Sequence, residues 1–411
     1  MIFLTIAVVL LSLSTPTSIA LDNVAIGVGL LGLILSYKRL RLSDIDYRVL
    51  GVSGVGFVSS ILSYRPIHSL NNAHYLWHFL PYFISSRVDR KKIRLVLILL
   101  GIAAIVSAFA VIFQAFTGIK INHAHLSDFM NIHFFKKPHY YVDIGLFSNS
   151  LTTAGILAPI SLLFISVSVF EKDVKLRFYY LLVSFLLFVA LLLTLKRTYW
   201  LGFLVALLLS PFIYFRSKSF RAIVLTILTV SVLSYFFIKP VHNSFQAVIH
   251  YSKSESAINR IALWQAGIDL YKDYNIKNKL IGCGSGNLFH YVKPYMIKRV
   301  RMAFPHKKDI MPYVYSSVHN EYLQILLKWG VVGLVVWLYL WGYVLYRNVV
   351  FIRKTDSDFY RGVAIGLTMG FIAFLVGGFF EHNVGDAEVI ISVMFLLGLD
   401  KNILDSLGEA G

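Results

Sequence analysis

Five groups of residues have the types and spacing for chemistry. His319-Asn320-Glu321-Tyr322-Leu323-Gln324 opens a long apolar run that leads to Gly330 and Gly333. At the first turn of a helix, free backbone N–H groups and the positive dipole end favour negative charge. An imidazole titrates near neutrality and can take a proton from an incoming hydroxyl. The competing reading is a histidine that caps an interfacial helix. Gly330 and Gly333 have the small-residue spacing that permits close helix approach. Lys196-Arg197 lies between Leu195 and Trp200 with almost no loop separating two apolar runs. Cations held this near hydrocarbon need water, a headgroup or a bound anion. Arg197 can grip a phosphate through its planar fork, which Lys196 cannot do bidentately. The alternative is a turn whose cations snorkel outward.

The other three groups sit in the segment 239–318, about 80 residues long and too long for a mere connection. Within it, Ser256 to Tyr274 reads as an amphipathic helix, with Ala257, Ile261, Trp264, Ile268 and Tyr271 at spacings of three and four. Arg260 lies beside that stripe, where it either meets an anion or snorkels. Gly282-Cys283-Gly284-Ser285-Gly286 follows. Alternating glycines let backbone N–H groups approach an anion, with Gly284 at the centre, yet no strand precedes them as a dinucleotide fold requires. Read by itself this is a flexible turn. Lys293, Lys298, Arg299, Arg301, Lys307 and Lys308 come next, interleaved with Tyr291, Tyr295, Met296, Met302 and Phe304. Such a cluster suits anionic lipid headgroups, with Lys298, Arg299 and Arg301 as its centre, or else is a solvated face. Between 117 and 148, His123, His125, His133 and His139 accompany Asp128 and Asp143, but their spacings match no established metal site and no metal is expected.

The elements that must position these groups are membrane spans. The 411 residues are 57% hydrophobic and 15% charged, against roughly 45–50% and about 25% in soluble domains. With Lys+Arg 39 against Asp+Glu 21 the charge is +18. So little charge among so many apolar residues excludes a disordered or nucleic-acid-binding chain. One cysteine, Cys283, excludes an internal disulfide and any Cys-based zinc site. An all-α polytopic membrane protein remains. Apolar runs near 2–14, 20–36, 48–63, 69–84, 93–116, 149–170, 177–195, 198–215, 221–238, 319–346, 359–380 and 384–400 predict about twelve transmembrane helices. The order is nine spans over 1–238, a partly helical loop over 239–318, and three spans over 319–411. No internal repeat or low-complexity stretch is present.

Lys and Arg favour cytoplasmic loops. With the amino terminus inside, the short inner connections and Lys401 carry twenty basic residues, and the short outer ones carry six: Arg65, Lys120, Lys136, Lys137, Lys196 and Arg197. The long loop then faces outside. Met1 to Leu13 could be a signal-peptide core, with Ser18-Ile19-Ala20 as a cleavage site, but no positive charge precedes it, so a retained first span is expected.

His319-Asn320, nine residues, then Gly330-Val331-Val332-Gly333, on the span after a large outer loop, resembles the O-antigen ligase and polymerase superfamily. Lys196-Arg197-Thr198, Arg260 with Trp264, and Gly282, Gly284 and Gly286 fit the same pattern. The resemblance covers roughly 190–340 by motif and the rest by span count and orientation. Lys328 departs from the acidic residue often found near that position. The resemblance implies a GT-C-like glycosyltransferase in a bacterial inner membrane. It would move O-antigen from undecaprenyl diphosphate to an acceptor on the periplasmic face, without a metal or other cofactor. By the same resemblance His319 is the general base, Arg197 and Arg260 hold the diphosphate, and Lys196, Asn320, Gly284, Lys298, Arg299 and Arg301 contact substrate. Lipid A–core is the favoured acceptor, since its anionic headgroup suits the basic cluster. A polymerase extending a carrier-linked chain is the near alternative, and protein O-oligosaccharyltransferases are usually longer. A lipid-linked sugar transporter is the rival from another class, but transporters usually gather polar groups near the midplane.

Overall fold

Leu, Ile, Val and Phe in long uninterrupted runs satisfy their backbones only within helices when no water is at hand. The chain follows that rule: in the computed structural model, every regular element among the described residues is helical. The structure describes residues 2–37, 42–121, 125, 128, 132, 144–213, 218–250 and 254–405. Along the first part run α1 (Ile2–Ser14), α2 (Ile19–Leu35), α3 (Asp44–Ile61), α4 (Pro66–Asn71), α5 (Leu80–Ser85) and α6 (Ile93–Thr117). Then come α7 (Ser150–Phe170), α8 (Val174–Leu193), α9 (Arg197–Ile213), α10 (Lys218–Phe237) and α11 (Lys239–Ile249). The long loop holds α12 (Glu255–Asp273), α13 (Ile276–Ile281) and α14 (Leu288–Ala303), and the chain closes with α15 (Glu321–Lys354), α16 (Asp358–Gly377) and α17 (Ala387–Leu404).

Among the described residues, five helices are long and apolar enough to cross a membrane, and a sixth candidate is Val224–Phe237 with Lys239–Gln246, bent by 99°. Ile2–Ser14, Ile19–Leu35 and Arg197–Ser210 are apolar but shorter. A helical membrane protein follows, with fewer full-length spans than the sequence suggested. The segment expected to cross at 69–84 shows one reason. It is broken into α4, a 3-10 turn at Ala73–Phe79 and α5, with Asn72 ending α4 and a proline in the first turn of α5.

The buried middle is α7, packed on α8 and α16. Gly362, Gly366 and Gly370, four apart on α16, let it approach that closely. A Cβ at Gly366 would lie 2.7 Å from the Leu163 Cα, and one at Gly370 would lie 3.2 Å from Pro159. α9 lies on the other side of α16, α3 against α15, and α5 against α17.

The long loop folds around a core of its own. Ala262, Leu263, Ala266 and Leu270 of α12 meet Leu288, Val292, Met296 and Val300 of α14, joined by Leu327 of α15. The opposite face of α12 thus meets α14 and α15, and Ile261 and Ile268 of the stripe expected to rest on the membrane surface or on neighbouring spans are 42% and 45% exposed. Small residues decided the packing. Gly267 sits against Leu323 and Leu327 of α15, a contact that larger side chains at that position would block.

Candidate active site: a cationic cavity at one end of the bundle

Capping and a strained backbone set His319 in place. Asn320 is the N-cap of α15: its Oδ1 accepts from the Leu323 N–H at 2.9 Å, and its Nδ2 donates to the Phe379 carbonyl at 3.0 Å. His319 has φ +49°, the left-handed region that costs a non-glycine residue about 1–3 kcal/mol. Two neighbours hold it there. Trp264 Nε1 donates to the His319 carbonyl at 3.1 Å, and Gln324 Oε1 accepts from the Val318 N–H at 3.0 Å.

The ring of His319 faces Glu381, in the segment between α16 and α17, with Nδ1 3.1 Å from Oε2. The other oxygen of Glu381 accepts from Arg260. A carboxylate in an ion pair only accepts hydrogen bonds, so Nδ1 carries a proton, and in the neutral imidazole that leaves Nε2 as the acceptor. Tyr315 stands edge-on to the imidazole, with centroids 4.9 Å apart. Arg260 Nη1 also reaches Thr198 Oγ1 at 3.4 Å, which ties α12 to the first turn of α9.

Lys196 and Arg197 enter from that same turn. Leu195, at φ +57°, reverses the chain between α8 and α9 so that both cations fall at the mouth of the bundle. The guanidinium groups of Arg197 and Arg260 lie close enough to repel one another. An anion between them relieves that repulsion. Among the described residues no carboxylate pairs with Arg197. Lys196, Arg197, Arg260 and His319 line one cavity of about 580 Å³, together with Asn149, Glu255, Asn259 and Tyr315. Glu255 on its rim is paired with Lys307 at 2.9 Å, and that ammonium, with the Tyr313 hydroxyl, holds its carboxyl below the usual range.

The remaining sequence candidates fall elsewhere. Gly284 donates its N–H to the Lys328 carbonyl at 3.0 Å, and Cys283 donates to that of Leu327 at 3.1 Å, so the glycine turn docks onto α15. Gly330, at φ +69° and ψ −170°, interrupts the helix there. Its close approach is to the backbone of Leu280 and Ile281 and not to a second span. Burial pushes the Cys283 thiol up to about 11, which leaves no thiolate near neutrality. Arg299 forms a bidentate pair with Asp269 at 2.6 and 2.9 Å, Arg301 donates to the Lys307 carbonyl, and Lys298 is exposed. None of the three lines the cavity. Of the histidine loop, His123, His133, His139 and Asp143 lie outside the described residues.

Sequence reasoning missed Glu381 and its neighbour His382. Phe379-Phe380-Glu381-His382-Asn383 lies between two apolar runs, and two ionisable residues in a connection that short were a readable signal. A histidine–carboxylate pair and two arginines thus meet at one cavity of a helical membrane protein. The segment 182–338 matches the family described as O-Antigen ligase. It includes Lys196, Arg197, Arg260, His319 and Lys328, and stops short of Glu381. No curated protein matches the chain.

Proposed function

We propose that this chain is a lipopolysaccharide O-antigen ligase of GT-C type, moving O-antigen polysaccharide from undecaprenyl diphosphate to lipid A–core. On this reading it crosses the bacterial inner membrane about twelve times, in the order 1–238, 239–318 and 319–411, and the cavity opens to the periplasm. The observation that carries the reading is the meeting of His319 with Arg197 and Arg260 in one cavity, from three separate elements.

The chemistry follows from that geometry. His319 Nε2 takes the proton from an acceptor hydroxyl as its oxygen attacks the anomeric carbon. Glu381 holds the ring in the required tautomer and stabilises the imidazolium that forms. The bond from the anomeric carbon to the diphosphate oxygen breaks, and its electron pair leaves with the diphosphate. Arg197 and Arg260 meet that growing negative charge at positions set before the reaction, which is worth several kcal/mol in a site of low polarity. Two cations on the leaving group make a metal unnecessary on this reading. Attack from the face opposite the leaving group inverts the anomeric centre. Asn320 and Gly284 support the site through backbone geometry, and Lys196 adds charge at its mouth.

Purified protein given lipid-linked oligosaccharide and lipid A–core yields core-linked product if it is a ligase. A longer carrier-linked chain instead identifies a polymerase. His319→Ala should bind donor normally yet transfer no sugar. Transfer by that variant at the wild-type rate removes the general base, and carrier movement without any transfer favours a transporter.

A further inference from the structure

Next to the proposed base lies a second buried set of ionisable groups that the mechanism above does not use. Lys328 Nζ is 3.0 Å from His382 Nε2, and His382 Nδ1 is 3.0 Å from Glu321 Oε2. The same carboxylate oxygen accepts from the Val384 N–H at 3.1 Å. The His382 side chain is 11% exposed and that of Glu321 is 2% exposed. With Lys328 as the donor, the positions of the protons follow. An ammonium only donates, so His382 Nε2 accepts, Nδ1 carries the hydrogen, and Glu321 accepts it.

The two sets are reciprocal. His319 and Glu321, at the start of α15, pair with Glu381 and His382 of the segment 378–386. Neighbouring residues of that segment therefore point opposite ways, one toward the cavity and one toward Lys328. The Glu321 N–H donates to the Gly378 carbonyl at 2.7 Å, closing the far end. We propose that Lys328 and His382 are positioning residues for His319: with Glu321 they hold the segment 378–386 so that Glu381 meets the His319 ring. The proposal rests on the general-base reading of His319.

Burial of an ammonium beside hydrocarbon is costly, and an apolar residue would fill the same space more cheaply. Lys328 does what an apolar residue cannot, because its donation selects the His382 tautomer that can donate to Glu321. Burial, with Lys328 second, holds the imidazolium form of His382 below its usual range, so the link stays intact at neutral pH. The charged and titratable groups facing it are Lys328 and Glu321 of α15 and, beyond them, His319. Cys283 lies against Lys328 from the glycine turn, and Tyr199 of α9 faces Glu321 and Glu381.

In the full-length purified protein, Lys328→Met should lower kcat roughly 10- to 100-fold, the scale of effect for a misplacement of about 1 Å at a reacting group. KM for donor and acceptor should not change. The acid limb of kcat should move to higher pH, because without the ammonium His382 takes up a proton more readily and the added charge then weakens His319 as a base. Adding His382→Gln to that variant removes the titrating group and should return the limb to its wild-type position. If Lys328→Met cannot be purified, two single variants decide. His382→Gln keeps a donor toward Glu321 and an acceptor toward Lys328 and should retain most of the wild-type kcat, whereas His382→Leu should lose it. Equal kcat in those two, or wild-type kcat and pH profile in Lys328→Met, overturns the proposal. His319→Ala reports separately: full activity there defeats the base assignment, whatever Lys328 does.

Discussion

Arg197 and Arg260 have the same side chain and face the same cavity, but their partners give them different work. Arg260 is held by Glu381 and Thr198, so part of its fork is committed before any substrate arrives. Arg197 meets no carboxylate among the described residues and is the cation best placed for an incoming diphosphate. Arg197→Lys keeps the charge and loses the two-pronged geometry. It should lower turnover by roughly tenfold, the price of about one charge-assisted hydrogen bond. Arg353→Lys, near the end of α15, should leave turnover unchanged; equal rates in the two variants refute a bidentate role. His319 and Arg197 stand out in the sequence because each is at the edge of an apolar run, and Arg260 because it lies beside the stripe of an amphipathic helix. Glu381 is as readable in its short connection, but its pairing is not, since its partners lie 62 and 121 residues away and only the folded chain brings them together.

Among the elements, the spans from α6 onward lie close to the apolar runs that predicted them, because long continuous hydrophobicity leaves the backbone little choice. The shorter run at 69–84 misled because local breaks intervene, as at Asn72. The glycine turn and Gly330 form a joint between the loop and α15 that spacing could not reveal. At Gly330 the backbone occupies a region open to glycine alone, and an added Cβ would lie 2.2 Å from the Leu280 carbonyl carbon. Gly330→Ala therefore combines backbone strain with overpacking and should destabilise the fold by about 3 kcal/mol or more. Gly342→Ala, on the same helix with nothing within 4 Å of its Cβ, should be neutral or slightly stabilising. Thermal unfolding midpoints in detergent distinguish the two, and a Gly330→Ala midpoint equal to that of Gly342→Ala would remove the joint from the account.

For the whole molecule, the charge of +18 divides by task. On the proposed topology, twenty of the 39 basic residues fall in the connections of the cytoplasmic side, where they would serve orientation. A few line the cavity. The cluster on α14 is a third class, and the structure separates its members. Arg299 is tied to Asp269, whose carboxyl it holds below the usual range, so it fastens α14 to α12 and its charge is already matched. Lys298 and Arg301 are exposed on the same helix. On the ligase reading proposed above, these two, outside the cavity, would meet an anionic acceptor first and take no part in the chemical step. Charges that act at a distance raise the rate of encounter and are screened by salt over about 10 Å at 0.1 M. The double variant Lys298→Glu with Arg301→Glu should therefore raise KM for an anionic lipid A–core acceptor at low salt and leave kcat alone. The difference from wild type should shrink as salt is added. An uncharged acceptor of similar size should show no difference between the proteins. A fall in kcat at every salt concentration would place these residues with the catalytic groups and end their assignment to acceptor capture.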